Sequence, residues 1–323
     1  MIKSTILLPN FNNEKYLEEC FQSILNQSLK EFEVVMVDDG STDNSQEILK
    51  KIADSDDRFK LIIKSENSGI VETLNIGLDQ VKTEYVIRMD GDDLMHPERI
   101  EILQNFMDQH PDIDVCGSGI KLFGEIEGEV LYTDSPVLNI ANLVFGHSFG
   151  HASCIMRTNF LREKAGGYTS DYPLMEDYDL AIRTKGYAKI TSIKDVLYYY
   201  RQTDVNALNN NDKKKGTFLR IYRKILDELN ISYQDSEKIH FEISKNVELN
   251  YSSKEYIKHF KLLIDSNKKL KIYPIQEFNA VVNDYREQMM FRLIDNKKAK
   301  FGQVFPNMKG VKYYLSKKIK RGN

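Results

Sequence analysis

The amino-acid sequence predicts an α/β protein: a Rossmann-like, mostly parallel sheet with helices on both faces, followed by a C-terminal helical appendage. Three observations predict it. Apolar runs of strand length alternate with segments of helical periodicity through the first two thirds of the chain; four of those runs end in a short polar loop; and past the Asn- and Lys-rich stretch around Asp212 only helical periodicity remains.

Ser4 to Pro9 is the first apolar run, and Tyr16, Leu17, Cys20, Phe21, Ile24 and Leu25 follow at helical spacing behind the capping-type residues Asn12 and Asn13. Phe32 to Val37 is the second strand, closed by Asp38, Asp39 and Gly40, and Ser41 to Asp43 offer caps to a helix carrying Ile48, Leu49 and Ile52. Phe59 to Ile63, Ile70 to Val81 and Tyr85 to Met89 repeat the pattern as strand, helix and strand, the last running into Asp90, Gly91, Asp92 and Asp93. Pro97 stands where a first-turn proline opens a helix reaching about His110, and Ile113 to Gly117 is a fifth strand. From Lys121 to Ser148 the pattern weakens, with turn signals at Gly124 and Gly128 and an apolar stretch from Leu138 to Phe145; strands plus a short helix covering the site are expected. Ala152 to Met156 reads as a strand, Asn159 to Lys164 as a short helix, Glu176 to Arg183 as the start of another, and Asp195 to Arg201 as the strand that closes a first domain over residues 1–206. Asn209 to Asp212 and Lys213 to Lys215 mark a linker. Helices at Phe218 to Leu229, Ser236 to Val247, Lys254 to Ile264 and Ile275 to Leu293 then make a helical region over 213–323.

Composition narrows the function. With 323 residues, 41% hydrophobic and 29% charged, the chain has enough apolar material for a full core. A net charge of -3 provides no global basic field for nucleic acid. Cys20, Cys116 and Cys154 are odd in number and widely spaced, which suits neither a disulfide framework nor a zinc set and fits free thiols in a reducing cytosol. Met1 to Pro9 reads as a strand instead of a targeting signal, and no apolar run reaches the roughly 18 residues of a membrane span.

In parallel sheets ligands bind beyond the carboxyl ends of the strands. The loops Pro9 to Phe11, Asp38 to Gly40, Ser65 to Gly69 and Asp90 to Asp93 each follow a predicted strand, so they should converge on one edge. There, Asp90, Asp92 and Asp93 crowd three carboxylates around Gly91, a costly arrangement unless a cation sits among them. Oxygen-only ligands suit Mg²⁺ or Mn²⁺, which bind through one or two carboxylates together with substrate phosphates. A solvated acidic turn is the plainer alternative; the position after a buried strand, opposite Asp38 and Asp39, favours the cation. Asp38 and Asp39 both stand where a carboxylate accepts hydrogen bonds from a base or ribose; the plainer alternatives are that Asp38 begins the turn and Asp43 caps the helix, and the plainer one is preferred for Asp43 and not for Asp39.

The stretches LLPNFNNEKYLEECFQSILNQS, FEVVMVDDGSTDNS, NSGIVETLNIGL, EYVIRMDGDD and EDYDLAIR, in this order, resemble the family 2 glycosyltransferases of the GT-A fold, over roughly Met1 to Arg201. The resemblance implies an inverting, metal-dependent transferase that takes a sugar from a nucleoside diphosphate sugar, UDP by family habit, to a saccharide or lipid-linked acceptor. By the same resemblance Asp39 contacts the base, with Pro9, Phe11 and Asn67 around it. Asp92 is the metal ligand, Asp90 meets ribose or metal-bound water, Asp93 supports both, and Arg88 braces the turn. Asp177 matches the catalytic base; Glu176 and His151 belong to the acceptor side. The adjacent Tyr198, Tyr199 and Tyr200 are read as packing. The family's membrane-bound polymerising synthases carry a QxxRW motif that a chain with no Trp lacks. The basic, aromatic-interleaved tail Lys312 to Arg321 either frays or holds anionic lipid, so the expected location is cytosolic, with peripheral contact at the inner membrane face as the variant. Two other classes compete. A sugar-nucleotide-forming nucleotidyltransferase would need a glycine-rich loop after the first strand, and Pro9 to Lys15 has no glycine. A non-catalytic nucleotide-sugar binder has no need for Asp39, Asp90, Asp92 and Asp177 together.

Overall fold

The computed structural model describes residues 2–147, 149–203, 211–245 and 247–295. The chain divides into two compact units, one of Met1–Leu143 and His147–Thr217, the other of Val144–Gly146 and Phe218–Asn323.

The first unit opens with β1 (Ser4–Asn10), α1 (Leu17–Leu25), β2 (Phe32–Asp38), α2 (Ser45–Ser55), β3 (Phe59–Ile63), α3 (Ile70–Gln80) and β4 (Tyr85–Arg88). These strands pair in parallel in the order β3, β2, β1, β4. All seven residues of β1 are buried, as expected of a strand covered on both faces. Helix α1 buries Leu17, Cys20, Phe21 and Ile24, one stripe at helical spacing, into a core shared with Ile6, Leu8, Val34 and Met36.

After β4 come β5 (Leu94–Met95), α4 (Arg99–Gln109), β6 (Val115–Gly124), β7 (Gly128–Val130), α5 (Pro136–Asn142), a 3₁₀ turn at His151–Ser153, β8 (Ile155–Arg157), a π-turn at Phe160–Lys164, α6 (Glu176–Thr184) and β9 (Ile190–Gln202). Strand β8 runs antiparallel to both β4 and β6, and β9 runs parallel to β6. Strands β1, β2, β3, β4, β6 and β9 therefore point the same way, and all six deliver their carboxyl ends to one edge. The two-residue β5 and the hairpin strand β7 run against their partners.

Several sequence expectations shift. The fifth strand is twice as long as its apolar signal, because Gly119, Lys121 and Gly124 continue pairing with β9 past an irregularity at Ser118. The strand read from Ala152 starts at Ile155, since the residues before it close a 3₁₀ turn whose Ser153 N–H donates to the Gly150 carbonyl. Pro97 precedes the helix it was expected to open: α4 begins at Arg99, and the Pro97 carbonyl accepts from Ser28 N–H at 2.7 Å.

The second unit is helical. Helix α7 (Asn211–Glu228) enters it at Phe218 and is followed by α8 (Ser236–Lys245), α9 (Ser253–Leu270) and α10 (Ile275–Asp295). Ser252 and Glu255 form a reciprocal capping box at the start of α9. Phe145 stacks between His240 and Tyr285, with ring centroids 5.0 and 4.1 Å away. Of the expected linker, Asn209 and Asn210 lie outside the described residues, as does the basic tail Lys312 to Arg321; Asn211 and Asp212 already belong to α7. Among the described residues no helix is long and apolar enough to cross a membrane.

Candidate active site

The four polar loops meet around a cavity of about 380 Å³ lined by Pro9, Asn10 and Phe11 at the end of β1, Asp39 after β2, Asn67, Gly69, Ile70 and Thr73 after β3, and Asp90 and Asp92 after β4. A second cavity of about 500 Å³ is lined by Arg88, Tyr132, His151, Glu176, Asp177 and Lys214, among others. Ile70, Asp90 and Tyr200 line both, so the two adjoin and Asp90 stands on their boundary.

The β2 loop is built for rigidity. Asp38 is buried and accepts from Ser41 N–H at 2.9 Å, Ser41 Oγ at 2.6 Å, Asn10 Nδ2 at 2.9 Å and Gln46 Nε2 at 3.1 Å, so its carboxylate is consumed in holding the turn. Asp39 points into the next loop, accepting from the Ser68 and Gly69 amides at 2.9 Å each. Gly40, with φ +70°, lets the two loops touch: a Cβ there would come within 2.6 Å of Glu66 backbone. Burial raises the Asp39 pKa, but Lys64 and the two amides outweigh it and hold the carboxyl below its usual range. Asn10 Oδ1 is buried without a hydrogen-bond partner, an acceptor left over in the cavity wall.

The acidic turn after β4 sorts its three carboxylates. Asp93 is fully buried and turns away from the cavity, accepting from Tyr198 hydroxyl at 2.5 Å and Arg201 N–H at 2.7 Å. Burial first, then the charges of Asp92 and Asp90, push its pKa up to about 9. Asp90 pairs with the buried Arg88 at 2.7 Å, and its side chain keeps 30% exposure. Burial works against the Arg88 charge, but Asp90 more than restores it, so its pKa lies above the usual guanidinium value. Arg201 ties the turn from outside through Nε to the Asp92 carbonyl at 2.8 Å, with its guanidinium over the Tyr16 and Phe123 rings. Among the described residues no three of His, Cys, Asp and Glu close into a metal cage. A cation that retains water and shares substrate phosphates needs only one or two carboxylates, and Asp90 and Asp92 both reach the first cavity. The residues present fit such an ion, with Asp93 as support and not as ligand.

In the second cavity Asp177 opens α6, and its Oδ1 accepts its neighbour Tyr178 N–H at 2.7 Å while Oδ2 lies 3.5 Å from His147 Nδ1. Burial pushes Asp177 up, yet His147, His151 and the Tyr178 amide prevail, so it stays ionised below the usual carboxylate range. Its neighbour Glu176 goes the other way: burial, then the Asp177 charge, raise it to about 7, and its Oε2 has no hydrogen-bond partner. His151 is buried against Tyr168 at 2.8 Å, and burial followed by the Arg88 charge depresses it to about 4. A neutral His151 is a hydrogen-bonding wall residue.

Pro9, Phe11, Asp39, Asn67, Asp90 and Asp92 thus share the first cavity, and Arg88, Asp90, His151, Glu176 and Asp177 the second. Asp93 reaches neither lining. The tyrosine triplet divides by strand alternation: Tyr198 and Tyr200 share one face of β9, where Tyr198 buttresses Asp93 and Tyr200 lines both cavities, while Tyr199 faces His96. Reading all three as packing is corrected for Tyr200 and for Tyr198, which also lines the second cavity. The period of two within YYYR carried that signal. Tyr132 and Lys214 were not foreseen, because nothing local in sequence ties them to the motifs.

A doubly covered sheet with a crevice beyond its carboxyl edge and an acidic turn on the fourth strand defines the GT-A fold class. Solved structures agree: Staphylococcus aureus TarS 1-349 in complex with UDP is 23% identical, TM-score 0.59, with 90% of this chain and 91% of that one covered. The mannosyltransferase PcManGT of Pyrobaculum calidifontis, in complex with GDP-Man and Mn²⁺, is 16% identical at TM-score 0.50, covering 88% and 74%. Within that class, the sequence profile "Glycosyl transferase family 2" matches residues 5–163, and Bacillus subtilis EpsE is 33% identical over 62% of this chain and 73% of its own length. The chain belongs to glycosyl transferase family 2. An uncharacterized glycosyltransferase of Haemophilus influenzae is 28% identical over 61% of this chain, and the match spans 64% of that relative.

Proposed function

We propose that the protein is an inverting glycosyltransferase that carries a sugar from a nucleoside diphosphate, UDP foremost, to a saccharide or lipid-linked acceptor, with Mn²⁺ or Mg²⁺ at Asp92 and Asp90. One observation carries the reading: two adjoining cavities share Asp90, with Asp39 in the first and the ionised Asp177 in the second. The neighbours solved with UDP, UDP-GlcNAc and GDP-Man with Mn²⁺ support the donor class and the ion.

In this reading Pro9, Phe11, Asn67 and Asp39 receive the nucleoside, which sets the diphosphate beside Asp90 and Asp92 and the sugar at the boundary of the cavities. Asp177 accepts the acceptor hydroxyl proton as that oxygen attacks the anomeric carbon, and the bond to the diphosphate oxygen breaks on the opposite face, so the centre inverts. His147 and the Tyr178 amide hold Asp177 as a charged acceptor. Arg88 holds Asp90 in place by its ion pair, at the boundary of the two cavities. A divalent cation bound at the turn offsets the charge that develops on the leaving diphosphate. The protein works on the cytosolic side, and peripheral membrane contact belongs to lipid-linked acceptors.

The test is hydrolysis and transfer with a panel of sugar nucleotides, with and without Mn²⁺. Asp92→Ala is expected to abolish turnover, and Asp177→Asn to slow it about 10²- to 10⁴-fold while donor binding persists. Full activity in chelator, or an Asp177→Asn variant at the parent rate, would end the proposal.

A further inference from the structure

The mechanism above leaves a buried lysine unused. Lys64 follows β3 directly, and its side chain and that of Asp39 are only 10% and 6% exposed. An ammonium group has three hydrogens to donate. Here they meet Asp39 Oδ1 at 2.5 Å, Thr73 Oγ1 at 3.3 Å and Ser68 Oγ. The charge is spent inside the protein and has nothing left for a ligand.

Asp39 can be counted the same way. An ionised carboxylate is acceptor-only and has about four lone-pair positions. Oδ1 serves Lys64 and the Ser68 amide; Oδ2 serves the Gly69 amide alone. One position on Oδ2 is therefore left over, on a residue that lines the first cavity. The carboxylate is tied at three points and cannot turn to vary what it presents. Nor does it readily take a proton: burial favours the neutral form, but Lys64 and the two amides prevail.

We propose that Lys64 is a positioning residue for base selection: by fixing Asp39 as an acceptor with one open position, it favours nucleotides whose base presents a ring N–H beside a carbonyl. Uracil and guanine do so. Cytosine and adenine present a ring nitrogen lone pair beside an amino group, and that lone pair would face the carboxylate with nothing between them. The inference rests on the reading of Asp39 as the base contact.

The experiment is calorimetric titration of the full chain in Mn²⁺ with two matched pairs, UDP against CDP and GDP against ADP. The parent protein is expected to prefer the N–H partner of the pair it binds by about tenfold, the scale of one hydrogen bond to a charged group. Lys64→Met should bring that ratio to about twofold or less, and Lys64→Arg should retain most of it. Circular dichroism checks folding; should Lys64→Met not fold, Lys64→Gln, neutral but with one donor, reads the same ratio. A folded neutral variant that keeps the parent ratio overturns the role of Lys64. Tight binding by the parent without any preference overturns the Asp39 reading, and with it this inference, while leaving a nucleotide site in place. Absence of nucleotide binding in the parent overturns the proposed function itself.

Discussion

Glu176 shows how a single residue at this site costs the fold stability. Its Oε2 is buried without a partner beside the charged Asp177, and the pair cannot comfortably ionise together. In the native state Glu176 keeps its proton up to about pH 7, while an unfolded glutamate releases it near 4.5. The folded protein therefore binds more protons in that window, and this residue's contribution to stability falls as pH rises through it. Glu176→Gln removes the charge and nearly preserves the shape. It should stabilise the protein by about 2–3 kcal/mol more at pH 8 than at pH 5, the scale that a shift from 4.5 to about 7 sets. Urea denaturation at both values checks this, and an equal effect at the two would rule out the titration as its cause.

At the scale of elements, the site depends on how closely the β2 and β3 loops approach. Gly40→Ala would place a methyl 2.6 Å from the Glu66 carbonyl carbon and 2.8 Å from the Asn67 nitrogen, in a backbone conformation with φ +70°. Left-handed strain alone costs roughly 1–2 kcal/mol, and the clash with backbone adds to it. The expected result is a lower melting temperature together with weakened nucleotide binding, since Asp39 and Asn67 both ride on these loops; unchanged binding would show that the loops can separate harmlessly. The same loops explain what the sequence discloses. Strand runs such as Phe32 to Val37 end in polar residues, so the carboxyl edge and the cluster of Asp39, Asn67, Asp90 and Asp92 follow from local pattern and the rule for parallel sheets. Lys64 reads as an ordinary surface lysine, because its partners Asp39 and Thr73 lie on other elements and only the fold unites them. Asp93 and Asp92 are equally acidic in sequence; the arrival of Tyr198 and Arg201 from β9 decides that Asp93 turns inward. The long β6 was missed for a related reason: its outer half is held by pairing with β9 more than by hydrophobicity.

Across the whole molecule the two units carry different pH liabilities. In the helical unit a chain of hydrogen bonds runs from Tyr233 hydroxyl to His259 Nδ1 at 2.6 Å, from His259 Nε2 to His240 Nδ1 at 2.8 Å, and from His240 Nε2 to the Val144 carbonyl at 2.6 Å. A carbonyl can only accept, so His240 Nε2 donates and its Nδ1 accepts; His259 Nε2 then donates, and Tyr233 supplies the proton at the far end. Each bond fixes the next tautomer, and the two bonds accepted by ring Nδ1 atoms, at His259 and at His240, require those rings to be neutral. Burial depresses His240 to about 4 and His259 well below its usual value, the latter also opposed by its neighbour. An unfolded histidine takes up its proton near 6.5, so the unfolded state binds more protons below that point and stability is lost as pH falls from about 6.5 toward 4. For His240 alone the loss approaches about 3 kcal/mol over that window. In the first unit Asp39 and Asp177 lie below the usual carboxylate value and lose their contribution only in stronger acid; His151, depressed to about 4, carries the same liability as His240, but Glu176 and Asp93, both raised, favour the folded state over that interval and offset it. Mild acid should therefore open the helices before the sheet. Hydrogen exchange at pH 5 and pH 7.5, corrected for intrinsic rates, is expected to show protection falling in α8 and α9 at the lower pH while β1, β2 and β4 keep theirs, and simultaneous loss in both units would refute this order.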